Sequence, residues 1–348
     1  MPSVAAVLTL LRAALVMAAL AGAAHAEGAP VSFSGKQVRL LVGFSPTGYG
    51  YDTYARVLAR HLGKYLPGNP GVVPQNRPGA GSLTLANYIY NAAAKDGTEI
   101  GLVGRGVAVE PLLTGSASNA MFDATRFVWL GSMNKEVSGF YIRQPGPAAT
   151  LEEILRGTPL KVGATGAGGD QQLFGAALNT LLGTRLKTIA GYPGTNEIML
   201  AVERGELDGV VGHSWGVVRA GKKELLKSGK LKIILQLALE KHRDLPDVPL
   251  VTEMVTSADD RQVLELIFSR QAMGRPLVAP PGLDPRVAEA LRSAFTQAMH
   301  DPELIAEAAR MDLEIDFVSG ADVQALVDRL YQSPRAVVAR GQAIATPH

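Results

Sequence analysis

The chain has 348 residues, 47% of them hydrophobic, with 34 Lys and Arg against 32 Asp and Glu and no cysteine. A formal net charge of +2 gives no electrostatic footprint for nucleic acid or an anionic membrane, and the missing cysteines exclude disulfides, thiol chemistry and Cys-based metal sites. A chain this long must be held by its hydrophobic core and exceeds the usual size of one domain, so two lobes are expected.

Met1 to Leu11 is uncharged, Arg12 is the one basic residue of the leader, Ala13 to Ala24 is apolar, and Ala24-His25-Ala26 is a small-residue cleavage site. This pattern predicts a secretory signal peptide over residues 1–26, cleaved after Ala26, and export to the periplasm. The apolar stretch is short and Ala-rich compared with the roughly 20 residues a spanning helix needs.

Gln37 to Val42 reads as a buried strand, followed by a glycine-rich loop from Phe44 to Tyr51 and a helix with Ala55, Leu58, Leu62 and Tyr65 on one face. Asp52 stands where an N-cap belongs. A short strand at Val72-Val73 leads to the loop Asn76-Arg77-Pro78-Gly79-Ala80-Gly81, a helix from Ser82 to Ala94 and a strand from Thr98 to Val103. The pattern resumes with strands near Phe127 to Leu130 and Gly139 to Ile142, a capping box at Thr150 and Glu153, and the strand Leu160 to Thr165. Helix Gln171 to Leu182, strand Leu186 to Ala190, helix Asn196 to Arg204 and strands Leu207 to Val211 and Leu231 to Leu237 follow. Alternating strands and helices predict an α/β protein with largely parallel sheets. Beyond Asp247 the pattern is mostly helical, with Asp284-Pro285 opening a helix to His300 and Ser319 with Asp322 opening another over Val323 to Leu330.

Two segments share one design, a strand running into a glycine-rich loop that opens a helix: Phe44 to Asp52, and Gly163 to Asp170. Glycines allow close approach to the backbone, and free N–H groups at a helix start favour an anion. Tyr49 stands where a P-loop needs Lys, and Gln171 where a dinucleotide fold wants Gly, so neither loop is a nucleotide fingerprint. One such loop is an ordinary tight turn; two together point to a shared anion site. No cofactor is implied.

Gly212-His213-Ser214-Trp215-Gly216 matches the G-x-S-x-G nucleophile elbow and supplies the alternative, an α/β-hydrolase-type esterase using Ser214. Against it, no His-Gly pair lies upstream for an oxyanion hole, and Arg219, Lys222, Lys223 and Lys227 occupy a segment that should be buried under an elbow. The bland reading is a strand-to-helix corner beside a cleft, with Trp215 as a wall. The six histidines are scattered and none lies in H-E-x-x-H, so no metal site is expected. Arg105, between Gly104 and Gly106 after a strand, stands where open α/β sheets bind ligands.

Gln37-Val-Arg-Leu-Leu-Val-Gly-Phe44, Asp52, Asn76-Arg-Pro-Gly-Ala-Gly81, Asp96-Gly97-Thr98, Gly191-Tyr192-Pro193-Gly194, Gly205-Glu-Leu-Asp208 and Leu245-Pro-Asp-Val-Pro249 resemble, in order and spacing, the TctC/Bug periplasmic receptors of tripartite tricarboxylate transporters. The resemblance runs through nearly all the mature chain. It implies a type II periplasmic-binding-protein fold: lobe one from residues 27–135, lobe two from 136–240, and a return to lobe one with C-terminal helices over 241–348. It also implies a non-enzymatic receptor that grips a small organic acid, a di- or tricarboxylate or aromatic carboxylate, through one loop of each lobe. That receptor hands the acid to integral-membrane permease subunits. Carried over, the first loop supplies Ser45, Thr47, Gly48, Tyr49 and Tyr51 and the second Thr165, Gly166, Ala167, Gly168 and Gly169, with Tyr192 nearby. This chain departs from the family where Gly169 replaces a usual small hydroxyl residue and Gln172 a usual His, and in the segments around His213 and Trp215 and around Ser269 to Arg275. At the far end of the ligand, Tyr49, Tyr51 and Trp215 are candidate apolar walls and Arg105 a candidate second charge. The opposing expectation packs those aromatics in their lobes' cores and leaves Arg105 in solvent.

Overall fold

Gln37–Val42 (β1) pairs in parallel with Gly71–Asn76 (β2) on one side and Glu99–Leu102 (β3) on the other, because Leu40, Leu41 and Val42 are buried between neighbours. The computed structural model describes residues 30–46, 50–165 and 169–346. The leader over residues 1–26, and Thr47, Gly48, Tyr49, Gly166, Ala167 and Gly168, lie outside the described residues. Tyr51–Leu62 (α1) buries Tyr54, Ala55, Val57, Leu58 and Leu62, the apolar face read from the 3.6-residue period. Burial of one such leucine contributes about 2 kcal/mol. Leu83–Asn91 (α2), Glu110–Thr114 (α3) and Val128–Ser132 (β4) complete the early part of the first lobe.

Ser138–Arg143 (β5), Leu151–Leu155 (α4), Leu160–Ala164 (β6), Asp170–Leu182 (α5), Leu186–Ala190 (β7), Thr195–Glu203 (α6), Gly209–Ser214 (β8), Trp215–Gly221 (α7), Lys223–Lys227 (α8) and Leu231–Leu237 (β9) build the second. Its five strands run in the order β7-β6-β8-β5-β9. The late chain adds Ala258–Phe268 (α9), Pro276–Ala279 (β10), Pro285–Met299 (α10), Pro302–Arg310 (α11), Val318–Ser319 (β11), Gly320–Tyr331 (α12) and Arg335–Ala345 (α13). β10 and β11 join the first sheet, whose order is β11-β4-β10-β3-β1-β2.

Both sheets are mixed rather than largely parallel. β10 runs antiparallel to β3 and β4, and β5 antiparallel to β8 and β9. These reversals occur where the chain changes sheets, since a strand entering from the other lobe need not obey the βαβ crossover direction. β10 went unread because it is four residues long, begins with Pro276 and is buried throughout, so it shows no alternation. The expected caps form: Thr150 accepts from the Glu153 N–H, Asp284 from Arg286 and Ser319 from Asp322. α9 and α13 also pack against the second lobe, Phe268 meeting Phe174 of α5 at 4.5 Å between ring centroids.

Two segments carry the chain between sheets, one between β4 and β5, the other between β9 and β10. They bond to each other: Glu136 N–H donates to Gln271 O (2.7 Å), Gly274 N–H to Asn134 O (2.8 Å) and Met133 N–H to Arg275 O (3.1 Å). The base of the cleft between the sheets is therefore a paired strap of backbone.

Candidate functional site

Three of the helices that begin at one cleft are each preceded by a glycine. Gly50 precedes α1, Gly169 precedes α5 and Gly194 precedes α6; none carries a side-chain cap, and all three line the same cavity of about 1660 Å³. Uncapped first-turn N–H groups and the positive end of the helix dipole make each start a place for negative charge. The cavity exceeds the roughly 300–1,000 Å³ of an ordinary ligand pocket and is an open cleft. The sequence reading placed Tyr192 of the third loop at the site but not the helix start at Gly194. Its signal was available: Gly191-Tyr192-Pro193-Gly194 follows β7 as the other loops follow β1 and β6.

Asn76, first residue of the Asn-Arg-Pro-Gly-Ala-Gly loop, holds the start of α1 in place. Its Nδ2 donates to Phe44 O (2.8 Å) and to Asp52 Oδ1 (2.7 Å), tying the loop entry and the helix's first turn to the end of β2. The same loop presses on the end of β3, where a Cβ on Gly104 would stand 2.9 Å from Gly81 O. Gly104 is glycine because there is no room for more.

At the floor of the cleft lies a charge cluster that links both lobes to the strap. The Asp170 carboxylate, on the first residue of α5, accepts from Arg105 Nε (2.9 Å) and Nη2 and from Arg270 Nη1 (2.8 Å). Glu136 accepts from Arg275 Nη1 (2.8 Å) and from the Ser214 hydroxyl (2.8 Å), and meets Arg105 Nη1 at 3.2 Å. Burial opposes ionisation of Asp170, but the two guanidiniums outweigh it and hold its carboxyl down at about 2. Burial likewise works against the Arg105 cation, which Asp170 and Glu136 nonetheless stabilise. His213 is pushed down to about 4 by burial, so at neutral pH it is uncharged. The Tyr51 phenol is raised by burial, stays protonated and accepts the Arg105 backbone N–H (2.9 Å).

Of the expected ligand residues, Tyr51, Arg105, Thr165 and Gly169 come together on the cleft. Tyr51 stacks on Phe44 with ring centroids 4.1 Å apart and also faces the Arg275 guanidinium (4.8 Å), so both faces of the ring are already covered and neither is left as a ligand wall. Thr165 Oγ1 reaches Gln171 Oε1 at 3.4 Å. Ser45 is exposed at the loop entry. Thr47, Gly48, Tyr49, Gly166, Ala167 and Gly168 belong to the two loops but lie outside the described residues. Trp215, 8% exposed, packs instead into the second lobe's core with Tyr141, Ile198 and Val218, and the half-buried Tyr192 packs against that core. The alternation of β8 turns His213 toward the cleft and places Trp215 one step past the strand on α7, against the core. Arg105 is neither free in the cleft nor in solvent: it is buried and paired on two sides. Asp52 is not the N-cap, because the helix starts one residue earlier at Tyr51; its carboxylate turns to Arg56 Nε (2.8 Å) and Asn76. Sequence reading missed Asp170 as a bridge, and it missed Glu136 and Arg270 because the strap brings them in from 34 and 100 residues away.

Ser214 forms the strand-to-helix corner, but its hydroxyl caps α7, accepting from the Val217 N–H (3.5 Å), and donates to Glu136. Among the described residues no histidine accepts from this serine, and the carboxylate that does is already engaged by Arg105 and Arg275, so the Ser-His pairing of a hydrolase is not formed. Among the described residues one group of His and carboxylates is tight enough for a cation, His61, Asp301 and Glu303, and the Lys64 ammonium already sits on its carboxylates at 2.5 and 3.1 Å. No helix among the described residues is long and apolar enough to cross a membrane.

Residues 54–341 match the family described as "Tripartite tricarboxylate transporter family receptor". A "UPF0065 protein in gbd 5'region" of Cupriavidus necator is 25% identical over 332 residues, covering 94% of this chain and 92% of its own. Among solved structures, a TctC solute-binding protein from Polaromonas superposes with a TM-score of 0.64 at 20% identity, covering 88% of this chain and 97% of its own. MatC from Rhodopseudomonas palustris, solved with malate, gives 0.63 at 18% identity, covering 89% and 99%. Another R. palustris protein, solved with adipate, gives 0.63 at 17%, covering 89% and 96%. The matched family and these solved neighbours are solute-binding receptors rather than enzymes, and with the family match spanning most of its length, this chain belongs to the TctC family of tripartite tricarboxylate transporter receptors.

Proposed function

We propose that the protein captures a small organic acid in this cleft and delivers it to the membrane subunits of a tripartite tricarboxylate transporter. The acid's carboxylate is gripped by the loops Ser45–Tyr51 and Thr165–Gly169, one from each lobe, after which the lobes close by hinging on the strap. The observation that carries this reading is the convergence of glycine-capped helix starts from both lobes on one cleft. Backbone N–H groups aimed at one point offer an anion several hydrogen bonds and cost nothing to reorganise. Malate and adipate in two neighbouring folds make a carboxylate a sensible first ligand to try. A leader removed after Ala26 would place the receptor in the periplasm, where the transporter collects its substrate.

Gly169→Asp tests the clamp. The backbone at 169 has φ −71° and ψ 154°, which any residue adopts, so an aspartate requires no change of backbone there and has the geometry of an N-cap for α5. Its carboxylate then occupies the position meant for the ligand's. Calorimetric titration with malate and adipate should show affinity falling by at least about tenfold, while the melting temperature holds or rises, a cap contributing about 1 kcal/mol. Unchanged affinity would move the ligand away from α5.

A further inference from the structure

The charges at the cleft floor do not balance. Among the described residues Arg105, Arg270 and Arg275 form ion pairs with Asp170 and Glu136 alone, and these five side chains are between 5% and 16% exposed. The neighbouring groups cannot make up the difference, since His213 is neutral and Tyr51 and Tyr54 keep their protons. Glu110 and Glu197 line the same cleft, and Asp312 and Glu314 line a neighbouring pocket with Arg275, but among the described residues none of the four pairs with these arginines, Asp312 lying near Lys223 and Glu314 near His242 and Arg243. One positive charge is therefore held in a largely dry place without a counterion, which is costly unless an anion arrives.

Arg270 is where that charge is least satisfied. Arg105 is fixed on two carboxylates; Arg270 and Arg275 each make one ion pair and each bury an Nε without a hydrogen-bond partner, but Arg275 also lies over the rings of Tyr51 and Tyr54 and donates to Gly274 O, whereas Arg270 has neither aid. Its position is also built: a Cβ on Gly106 would stand 3.1 Å from Nη1 and 3.3 Å from Cζ, so the Gly-Arg-Gly turn leaves room for this guanidinium. Asp170 places the uncapped start of α5 beside it.

We infer that Arg270, between Gly106 and the start of α5, forms a second anionic subsite that seats the distal carboxylate of a dicarboxylic acid. This rests on the two-loop clamp holding the first carboxylate, and it makes the receptor selective for diacids over monoacids of the same length. Arg270 is the specificity-determining residue, and Asp170 keeps the guanidinium aimed while leaving the cluster's excess charge for the ligand.

The test is calorimetric titration of matched pairs, malate against 2-hydroxybutyrate and adipate against hexanoate, with wild type, Arg270→Gln and Arg270→Lys. In each pair the distal carboxylate is replaced by a methyl group. Wild type should bind at least one diacid more tightly than its partner by about 10- to 100-fold, as a charge-assisted hydrogen bond implies. Arg270→Gln, which balances the cluster's charges, should erase that ratio by weakening the diacid alone, and Arg270→Lys should keep part of it. Equal affinity for both members of each pair in wild type, or equal loss of both in Arg270→Gln, overturns the subsite while leaving the clamp. If wild type binds none of the four acids, the clamp itself falls and the subsite with it. The wild-type ratio and Arg270→Lys decide the matter even if Arg270→Gln does not fold.

Discussion

The starts of α1 and α5 carry the same residue types, a glycine cap followed within two residues by an aspartate, yet the two aspartates do opposite things. Asp52 turns away from the cleft to Arg56 and Asn76, while Asp170 turns into it and bridges Arg105 and Arg270. Both are favoured by the helix dipole, which does not dictate direction. Partners decide it. At α1 the nearest donors are an arginine one turn on and the asparagine ending β2; at α5 they are two arginines supplied by the first lobe and the strap. One first turn is a local device, the other a junction of the whole molecule.

The sharpest way to break this comparison is to neutralise Asp170. Asp170→Asn leaves Arg270 without its carboxylate and Arg105 with Glu136 alone, and loss of one member of a buried pair costs about 3 kcal/mol. Urea unfolding should show it, and a loss under about 1 kcal/mol would mean the cluster is screened by water.

Acid unfolding sharpens the same contrast. The Asp170 carboxyl lies at about 2, below its ordinary 3.8, so the stability it contributes is complete above 3.8 and disappears as pH falls through about 2. Between pH 5 and pH 2 wild type should lose about 2 kcal/mol more than Asp170→Asn, followed by circular dichroism. Parallel curves for the two proteins would remove Asp170 from the acid response.

The smallest effect belongs to Asp52. Burial raises its pKa, but the bonds from Arg56 and Asn76 prevail and lower it. Because the Arg56 side chain is 44% exposed, the ion pair itself contributes little, and Asp52→Ala should cost about 1 kcal/mol through the dipole and Asn76. Acid affinity should not move. A large gain in binding by Asp52→Ala would show that the carboxylate faces the ligand and that the two helix starts are alike.

Much of this protein was legible in order along the chain. β1, β7 and β9 begin and end where the apolar runs do, the caps at Thr150, Asp284 and Ser319 form, and the two glycine loops open helices on one cleft. Where the reading failed, the missing information lay elsewhere in the chain. β10 became a strand because β3 and β4 left a place between them, not because of any pattern in its four residues. Trp215 lies in the core because β8 ends one residue before it, although a glycine-flanked tryptophan beside a serine corner suits a cleft wall equally well.

The sequence by itself determined the two-lobe α/β plan, the family and the placing of glycine at the helix starts that line the cleft, because period, caps and loop chemistry act over a few residues. Only the tertiary structure decided where the charges went. Arg105, Asp170, Arg270, Glu136 and Arg275 meet because two segments cross between the sheets and bond to each other, and Coulomb energies at such distances depend on that meeting rather than on spacing along the chain.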